Sequence, residues 1–393
     1  MPRNGSRATI SLAVGLFLSH PLTVQAAPLR WELDAGVAAG IDTNPLELSR
    51  EALPAAAIPS GAFTEASAGG RLTGEWSPRA GWFTSVEGSG RFHPASFDEA
   101  DSAQGRVEAG LGFILWSEGE RRLSAALRGF AGAERSTFVD PATGGLYLAG
   151  DPNAPVPIPD RFDRDATGAA LGLRLRTSAR LLLLLDSRVS RDDHTQDYDG
   201  VPDIDALDSR SLLLRPGARW NITDSVRLDV IGEWAAVHYD ELPSLDSQGS
   251  PAEDEPRRYV SRQVRASLSV EPSARWSFLL GGSAGRRDDV HAGYYDALAE
   301  SAQAGVVWSP LEGLRASLRM AQSQVDFSNA TVGAVADGEP RGGDVVTVAG
   351  SIEKDLFERL TVRAEAARVS SSNRDPLYTY DRSWALVGLR YSH

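Results

Sequence analysis

The sequence of 393 residues contains no cysteine, two methionines and a single lysine, Lys354. The lack of cysteine excludes a fold held together by disulfide bonds and a zinc or iron–sulfur site with thiolate ligands. Acidic residues outnumber basic ones by 53 to 40, and this formal charge of -13 argues against a nucleic-acid partner. Beyond the N-terminus, no apolar run approaches the roughly 18 residues that a membrane-spanning helix needs, so a helical membrane protein is also excluded.

The N-terminus has the features of a secretory signal peptide. Two arginines precede an apolar segment from Ala8 to Leu18, and Val24 and Ala26 are the small residues that a signal peptidase recognises. The apolar segment is short for a membrane anchor, and no cysteine follows to carry a lipid. We therefore predict that residues 1–26 are removed and that residues 27–393 form one domain outside the cytoplasm.

A hairpin unit recurs through the rest of the sequence: an alternating strand, a short polar turn, a second alternating strand and a longer loop. The predicted short turns are 77–81, 117–120, 177–179, 221–224, 271–273, 309–313 and 354–355. The predicted long loops are 42–61, 93–103, 136–160, 192–207, 240–256, 329–340 and 371–377. Seven short turns predict about sixteen strands, with short connections at one end and long acidic loops at the other.

Apolar and polar residues alternate along the predicted strands, as in segments 30–41 and 314–321. A soluble β-sandwich or propeller would alternate too, but tryptophan placement favours a membrane barrel. Most tryptophans lie close to a short turn or to the start of the first strand, as expected for an aromatic girdle at a membrane interface. The tryptophans of this predicted girdle are Trp31, Trp76, Trp82, Trp116, Trp220, Trp276 and Trp308.

The C-terminal strand resembles that of bacterial outer-membrane β-barrels, which their assembly machinery recognises. Every second residue from Ala385 to Tyr391 is apolar, although His393 stands where that family usually has phenylalanine. Segment 40–45 also resembles a strand-to-loop opening, G-x-D-[ST]-N, found in outer-membrane barrels that include some encoded with exopolysaccharide systems. The resemblance implies an all-β fold, a single antiparallel transmembrane barrel in the cell outer membrane. Its expected partners are outer-membrane lipid, lipopolysaccharide and the assembly machinery.

An even number of strands returns the chain to its starting side, so the short turns should be periplasmic and the long loops extracellular. Side chains alone do not fill a barrel of sixteen strands. Inward charges could select solutes and offer forked donors to sugars or carboxylates, or they could pair across strands and stiffen the wall. The predicted pore-lining residues are Asp34, Arg71, Glu87, Arg128, Arg215, Asp229, Glu233, Arg265, Arg319, Arg363 and Glu365.

Four aspartates alternate around a Gly-Val-Pro turn in one predicted loop: Asp197, Asp199, Asp203 and Asp205. Carboxylates with this spacing can bind calcium, and the segment D-x-D-G-x-P-D-x-D looks like a calcium repeat of the thrombospondin type 3 kind. Only one copy is present, so an ordinary acidic outer loop is the alternative. Calcium at these aspartates is the one metal that the sequence suggests, and no other cofactor is expected.

Enzymatic motifs are not found in the sequence. The histidines beyond the signal segment, His93, His194, His238, His291 and His393, belong to no H-E-x-x-H arrangement, and no G-x-S-x-G motif accompanies them. We predict a non-enzymatic barrel that passes hydrophilic solutes, anionic or saccharide, by passive diffusion. A variant is a conduit for exopolysaccharide export, which would need a separate periplasmic partner. The alternative is a structural, adhesion or assembly barrel whose lumen is closed by loop 136–160.

Overall fold

The computed structural model describes residues 29–49, 60–94, 100–140, 146–149, 153, 155–158, 160–194, 207–332 and 338–393. In chain order the strands are β1 (Arg30–Asp42), β2 (Gly61–Ser77), β3 (Ala80–Phe92), β4 (Ser102–Glu118), β5 (Arg121–Ser136), β6 (Leu148–Ala149), β7 (Val156–Pro157), β8 (Arg164–Arg176), β9 (Leu181–His194), β10 (Ser209–Thr223), β11 (Val226–Leu245), β12 (Pro251–Ser273), β13 (Trp276–Asp289), β14 (Ala297–Leu311), β15 (Leu314–Thr331), β16 (Pro340–Phe357), β17 (Leu360–Asn373) and β18 (Tyr380–Ser392). The predicted signal segment and the four aspartates of the predicted calcium loop lie outside the described residues.

Sixteen of these strands form one closed antiparallel barrel. Each barrel strand pairs with the next one along the chain, and β1 pairs with β18 to close the sheet. The short strands β6 and β7 form a separate hairpin between β5 and β8, which pair directly. The predicted all-β fold, the strand number and the antiparallel barrel are therefore confirmed, and closure leaves no exposed sheet edge. Among the described residues, no helix has the length and apolar character needed to cross a membrane.

Six of the seven predicted short turns lie at or next to the expected segments, but the turn predicted at 354–355 is wrong. Lys354 and Asp355 still pair with Val362 and Thr361, and the chain turns at residues 358–359 instead. Two further residues of β16 precede that turn. At the turn end Lys354 donates a hydrogen bond of 3.1 Å to the carbonyl oxygen of Glu312, which links two neighbouring hairpins.

The long loops differ from prediction in two places. Residues 240–256 form an extended hairpin, because β11 continues to Leu245 and β12 begins at Pro251. Only residues 246–250 turn, where the backbone N–H groups of Ser250 and Gln248 donate to the Asp246 carboxylate and lower its pKa. A loop that the sequence analysis missed joins β13 to β14 at residues 290–296.

The outer face of the barrel is apolar. Val37, Leu318, Ile352 and Val387 point outward and are more than half exposed. An apolar surface that extends around a closed barrel is stable in lipid and not in water. The predicted girdle is present at the turn end, where Trp276 and Trp308 stack with ring centroids 5.8 Å apart.

The G-x-D-T-N segment fastens β1 to β18 at the loop end of the barrel. Arg382 donates to the fully buried Asp42 carboxylate at 2.7 and 3.0 Å. Asn44 accepts a bond from the Leu48 N–H and donates to the carbonyl oxygens of Leu48 and Asp381. These bonds hold the first loop against the last strand.

Two of the long loops meet above the barrel. Leu48, in the loop after β1, packs against Val139, in the loop after β5. Phe138 contacts Phe162 edge to face, with ring centroids 4.7 Å apart, and so fastens the base of the second loop. The two lumenal cavities described below are lined by strand residues and by one short turn. None of the described residues between β5 and β8 lines either of these cavities.

Candidate functional site: the lumen

The predicted pore-lining residues all lie on the inward face of the sheet. Asp34, Arg106, Arg188 and Arg363 come from widely spaced strands and yet line one cavity, so their shared face is inside the barrel. Residues directly opposite each other in the register point to the same side, which extends this assignment around the sheet. The predicted residues on this face are Asp34, Arg71, Glu87, Arg128, Arg215, Asp229, Glu233, Arg265, Arg319, Arg363 and Glu365. That they line a conducting pore stays a prediction.

Two cavities lie along the inner wall of the first half of the barrel. The loop-side cavity has a volume of about 730 Å³ and the turn-side cavity about 780 Å³. Glu87 and Arg106 line both of them and are directly opposite each other on β3 and β4. These two side chains therefore lie at the boundary between the two cavities.

Phe130 forms an aromatic surface in the loop-side cavity, next to that boundary. The guanidinium groups of Arg106 and Arg188 lie 4.4 and 4.2 Å from the centroid of its ring. A side chain at Gly168 would place its Cβ 2.4 Å from the Phe130 ring and 2.3 Å from the Val189 carbonyl oxygen. Glycine at this position lets the ring lie flat against the wall and carry both cations.

The same arrangement occurs three times within the described ranges. We call these groups the phenylalanine platforms: an inward phenylalanine lies over a glycine on a neighbouring strand and carries at least one arginine. The platforms are Phe63 with Gly40 and Arg91, Phe83 with Gly110 and Arg71, and Phe130 with Gly168, Arg106 and Arg188. The sequence analysis missed them. The signal that could have revealed them was phenylalanine at inward-facing positions of the predicted strands, where polar residues are expected.

Most of the predicted residues make ion pairs. Glu233 lies between Arg215 and Arg265, at 2.8 and 3.6 Å. The other pairs are Asp34 with Arg390, Arg128 with Glu108, Asp229 with Arg219 and Arg227, and Arg363 with Glu65 and Glu365. The three predicted residues without an ion pair in the described part of the chain are Arg71, Glu87 and Arg319. Pairing thus stiffens much of the wall and leaves a few charges available.

Arg188 is an available cation that the sequence analysis did not single out. It makes no ion pair with any described residue, and its buried Nε atom has no hydrogen-bond partner among them. Its guanidinium is held on Phe130 and lines the loop-side cavity. A buried donor without a partner is costly unless water or a solute supplies an acceptor.

The opposite wall carries few charges. We call it the serine wall: the inward residues 281–285 of β13 and 299–305 of β14, with Gln263, Ser317 and Ser351 on neighbouring strands. Ser283 lies 2.9 Å from the Gln263 amide nitrogen and 2.8 Å from the Ser301 hydroxyl oxygen. Ser317 and Ser351 are likewise 2.7 Å apart. The hydroxyl groups here bond to one another, and no charged side chain points inward from β14.

The apolar outer face, the aromatic girdle and the closed sheet around a polar interior decide the class of protein. The chain is an outer-membrane β-barrel. No protein-family model matches its sequence, and no curated protein is similar to it in sequence. The assignment therefore depends on the barrel itself.

Among solved structures, the barrel is similar to OmpT, an outer membrane protein of Vibrio cholerae, with 7% identity over 95% of this chain and 100% of that one, and a TM-score of 0.47. It is also similar to OccK2 (OpdF) of Pseudomonas aeruginosa, with 14% identity over 93% and 97% of the two chains and a TM-score of 0.43. The outer membrane protein opdK of Pseudomonas aeruginosa has 12% identity and a TM-score of 0.45. At these values the likeness adds nothing to the functional argument.

The histidines of the barrel do not form a common site. His93 and His194 lie near separate aspartates at the loop end, 3.3 Å from Asp101 and 3.6 Å from Asp208. His393 stacks on Trp31 at the turn end, with ring centroids 4.0 Å apart. Within the described ranges, no group of three or more histidine or carboxylate side chains is placed to hold a metal ion.

Proposed function

We propose that the barrel is a passive channel for small hydrophilic solutes and that it favours anions. The observation that carries this proposal is the Arg188 guanidinium, which lies on Phe130 at the loop-side cavity and has no ion pair among the residues that the structure describes. The lining of the turn-side cavity also favours anions, because it contains six arginines and four carboxylates. An anion moving inward would meet forked donors that are already oriented.

The proposed mechanism needs no covalent step. Arg188 would offer a bidentate hydrogen bond to a carboxylate or phosphate. Arg106, which pairs with Glu108 at 3.1 Å, lies on the same ring, and Glu87 opposite Arg106 would weaken binding enough to allow release. The serine wall would accept the rest of a hydrophilic solute without attracting charge of either sign. Saccharides and exopolysaccharide, the other solutes expected from the sequence, would make less use of the Arg188 guanidinium. We rank both below small anions.

Single-channel recording tests this proposal. The full chain, refolded into a planar bilayer, is expected to give steady openings, with the reversal potential in a salt gradient showing anion preference. Arg188→Ser should reduce that preference, whereas Ser317→Ala on the serine wall should leave it unchanged. A barrel that is silent but heat-modifiable would contradict the channel and favour the structural or assembly role. Block by neutral oligosaccharides, with no effect of anions, would favour a saccharide conduit.

A further inference from the structure

Four basic side chains lie side by side on the outer face of the barrel. In the register, Arg191 on β9 is opposite Arg210 on β10, Arg210 is opposite His238 on β11, and His238 is opposite Arg258 on β12. Directly opposite residues have Cβ atoms about 5 Å apart, so these four side chains form a continuous row. We call it the outer basic row.

The outer basic row lies where the apolar part of the membrane ends. About ten residues farther along each strand, toward the turn end, the register gives a second outward row that contains Trp220 of the aromatic girdle. A transmembrane strand crosses the hydrocarbon core in about 9 to 11 residues. Since Trp220 marks the turn-side interface, the outer basic row is at the opposite interface, on the side of the long loops.

The protein neutralises this row only in part. Like charges directly opposite each other in a sheet are destabilising. Asp240 lies 3.6 Å from Arg210 and 3.9 Å from Arg191. Arg191 also pairs with Asp193 at 2.5 Å and lies 4.0 Å from Asp208. Arg258 is exposed and has no carboxylate partner among the described residues, and neither has His238. Arg258 is therefore the guanidinium of the row that an external anion can neutralise.

An apolar groove lies directly beneath the row. It has a volume of about 610 Å³ and is lined by three arginines of the row and by His238. The next outward residues toward the membrane centre form its apolar part. They are Val189, Leu212, Ala236 and Val260. A basic edge above an apolar groove at a membrane interface matches an anionic head group joined to an acyl chain.

We propose that this surface binds a phosphorylated lipid of the outer leaflet. A phosphate group would accept hydrogen bonds from Arg210 and Arg258, and an acyl chain would lie in the groove below. Charge complementarity favours a lipid over a second copy of the chain, because a protein interface would have to bury these guanidinium groups against carboxylates in matching positions. The inference does not depend on the proposed channel, since the groove is on the outer face and the lumen is not involved.

Native mass spectrometry of the full chain in detergent can test the proposal. The probes are lipid A carrying both phosphates and the same lipid A with the phosphates removed. The double variant Arg210→Ser/Arg258→Ser is expected to bind the phosphorylated probe about tenfold more weakly or worse, because each charge-assisted hydrogen bond is worth about that factor. The matched control is Arg368→Ser, which removes an outward arginine that pairs with Asp381 at 3.6 Å. It should bind like the wild type.

Three outcomes would overturn the proposal. The first is equal binding of the probe without phosphates, which would reduce the groove to ordinary lipid contact. The second is an equal loss of binding in Arg368→Ser, which would indicate a general effect of charge. The third is an oligomer that carries no lipid and dissociates in the double variant, which would make a second copy of the chain the occupant. Unchanged heat modifiability of the double variant on gels would show that the barrel remains folded.

Discussion

The two walls of the lumen differ in what they present to water. From β1 to β9 the wall holds arginines on phenylalanine rings, and each ring lies on a glycine. From β12 to β16 much of the wall consists of small residues whose hydroxyl groups bond to one another across the strands. One wall holds oriented guanidinium groups, and on the other the hydroxyl groups bond to one another.

The difference shows how a barrel can restrict a flexible side chain. An arginine in water loses considerable rotamer entropy when a solute fixes it. A guanidinium that already lies on an aromatic ring has lost part of that freedom, and cation–π attraction of about 0.5 to 2 kcal/mol compensates for it. Two platform arginines, Arg71 and Arg188, make no ion pair with any described residue and are therefore prepared for binding. Arg91 and Arg106 also lie on rings but pair with Glu65 and Glu108, as Arg215 pairs with Glu233, and so belong to the wall.

The largest effect should come from breaking the seam between β1 and β18, which closes the sheet at the edge of the arginine-bearing wall. Asp42→Asn removes the charge that faces Arg382, and because the carboxylate is fully buried we expect a loss of about 3 to 5 kcal/mol in the free energy of unfolding. Asp34→Asn is the control, since that carboxylate is half exposed beside Arg390 and should cost at most about 1 kcal/mol. Urea unfolding of the refolded barrel in micelles measures both. Equal losses would show that burial of the seam does not matter.

The next largest effect tests whether the outer face, which both walls share, is in contact with lipid. Leu318→Arg places a charge in the lipid, and we expect it to cost about 2 to 4 kcal/mol if it lies near the midplane. Ser317→Arg changes the adjacent residue, which points into the lumen, and should be tolerated. Folding yields in lipid vesicles, read from heat modifiability on gels, compare the two variants. Similar yields would contradict the assignment of the faces.

A smaller effect should distinguish the two walls directly: the loss of unfolding free energy when a glycine on each wall is replaced by alanine. Gly168→Ala puts a methyl group against the Phe130 ring and a backbone oxygen, and overpacking of this kind costs about 1 to 3 kcal/mol. Gly305→Ala on the serine wall is the matched change, because its Cβ would lie 3.6 Å or more from every neighbour. Tryptophan fluorescence during urea unfolding gives both free energies. If Gly305→Ala is as costly, the platform is not what requires glycine.

The smallest effect concerns selectivity. A unit charge about 4 Å from an ion in water is worth about 1 kcal/mol, or about a fivefold change in local anion concentration. Arg188→Ser should lower the ratio of anion to cation permeability by up to that factor. Arg215→Ser should lower it less, because Glu233 already neutralises Arg215. A reversed order, read from reversal potentials in a salt gradient, would make the paired arginines the selective ones.

The barrel could be predicted from the sequence because apolar and polar residues alternate wherever one face of a strand meets lipid and the other meets water. The prediction fails where both faces of a strand meet water. The hairpin around residues 246–250 extends beyond the apolar band, so its strands lack the apolar face and read as a loop. The turn at 358–359 was placed too early for a related reason, since Lys354 and Asp355 are polar residues inside a strand.

The candidate site was predictable only in part. Successive residues of a strand point to opposite faces of the sheet. This alternation was enough to place eleven charged residues on the lumenal face. The phenylalanine platforms depend on which glycine lies beside which ring, and that is fixed by the stagger between strands. The pairing of Gly168 with Phe130 on β5 could not be read from two segments far apart in the chain. The same geometry leaves Arg188 without an ion pair in the described part of the chain.

The single lysine offers a chemical means of determining orientation. Lys354 is exposed at the turn end, where it donates to Glu312. A membrane-impermeant, amine-reactive dye therefore has one lysine side chain to modify, and with periplasmic turns that side chain is hidden in an intact cell. Labelling of Lys354 should appear only after the outer membrane is permeabilised, and its appearance in intact cells would mean that the barrel is inserted the other way up.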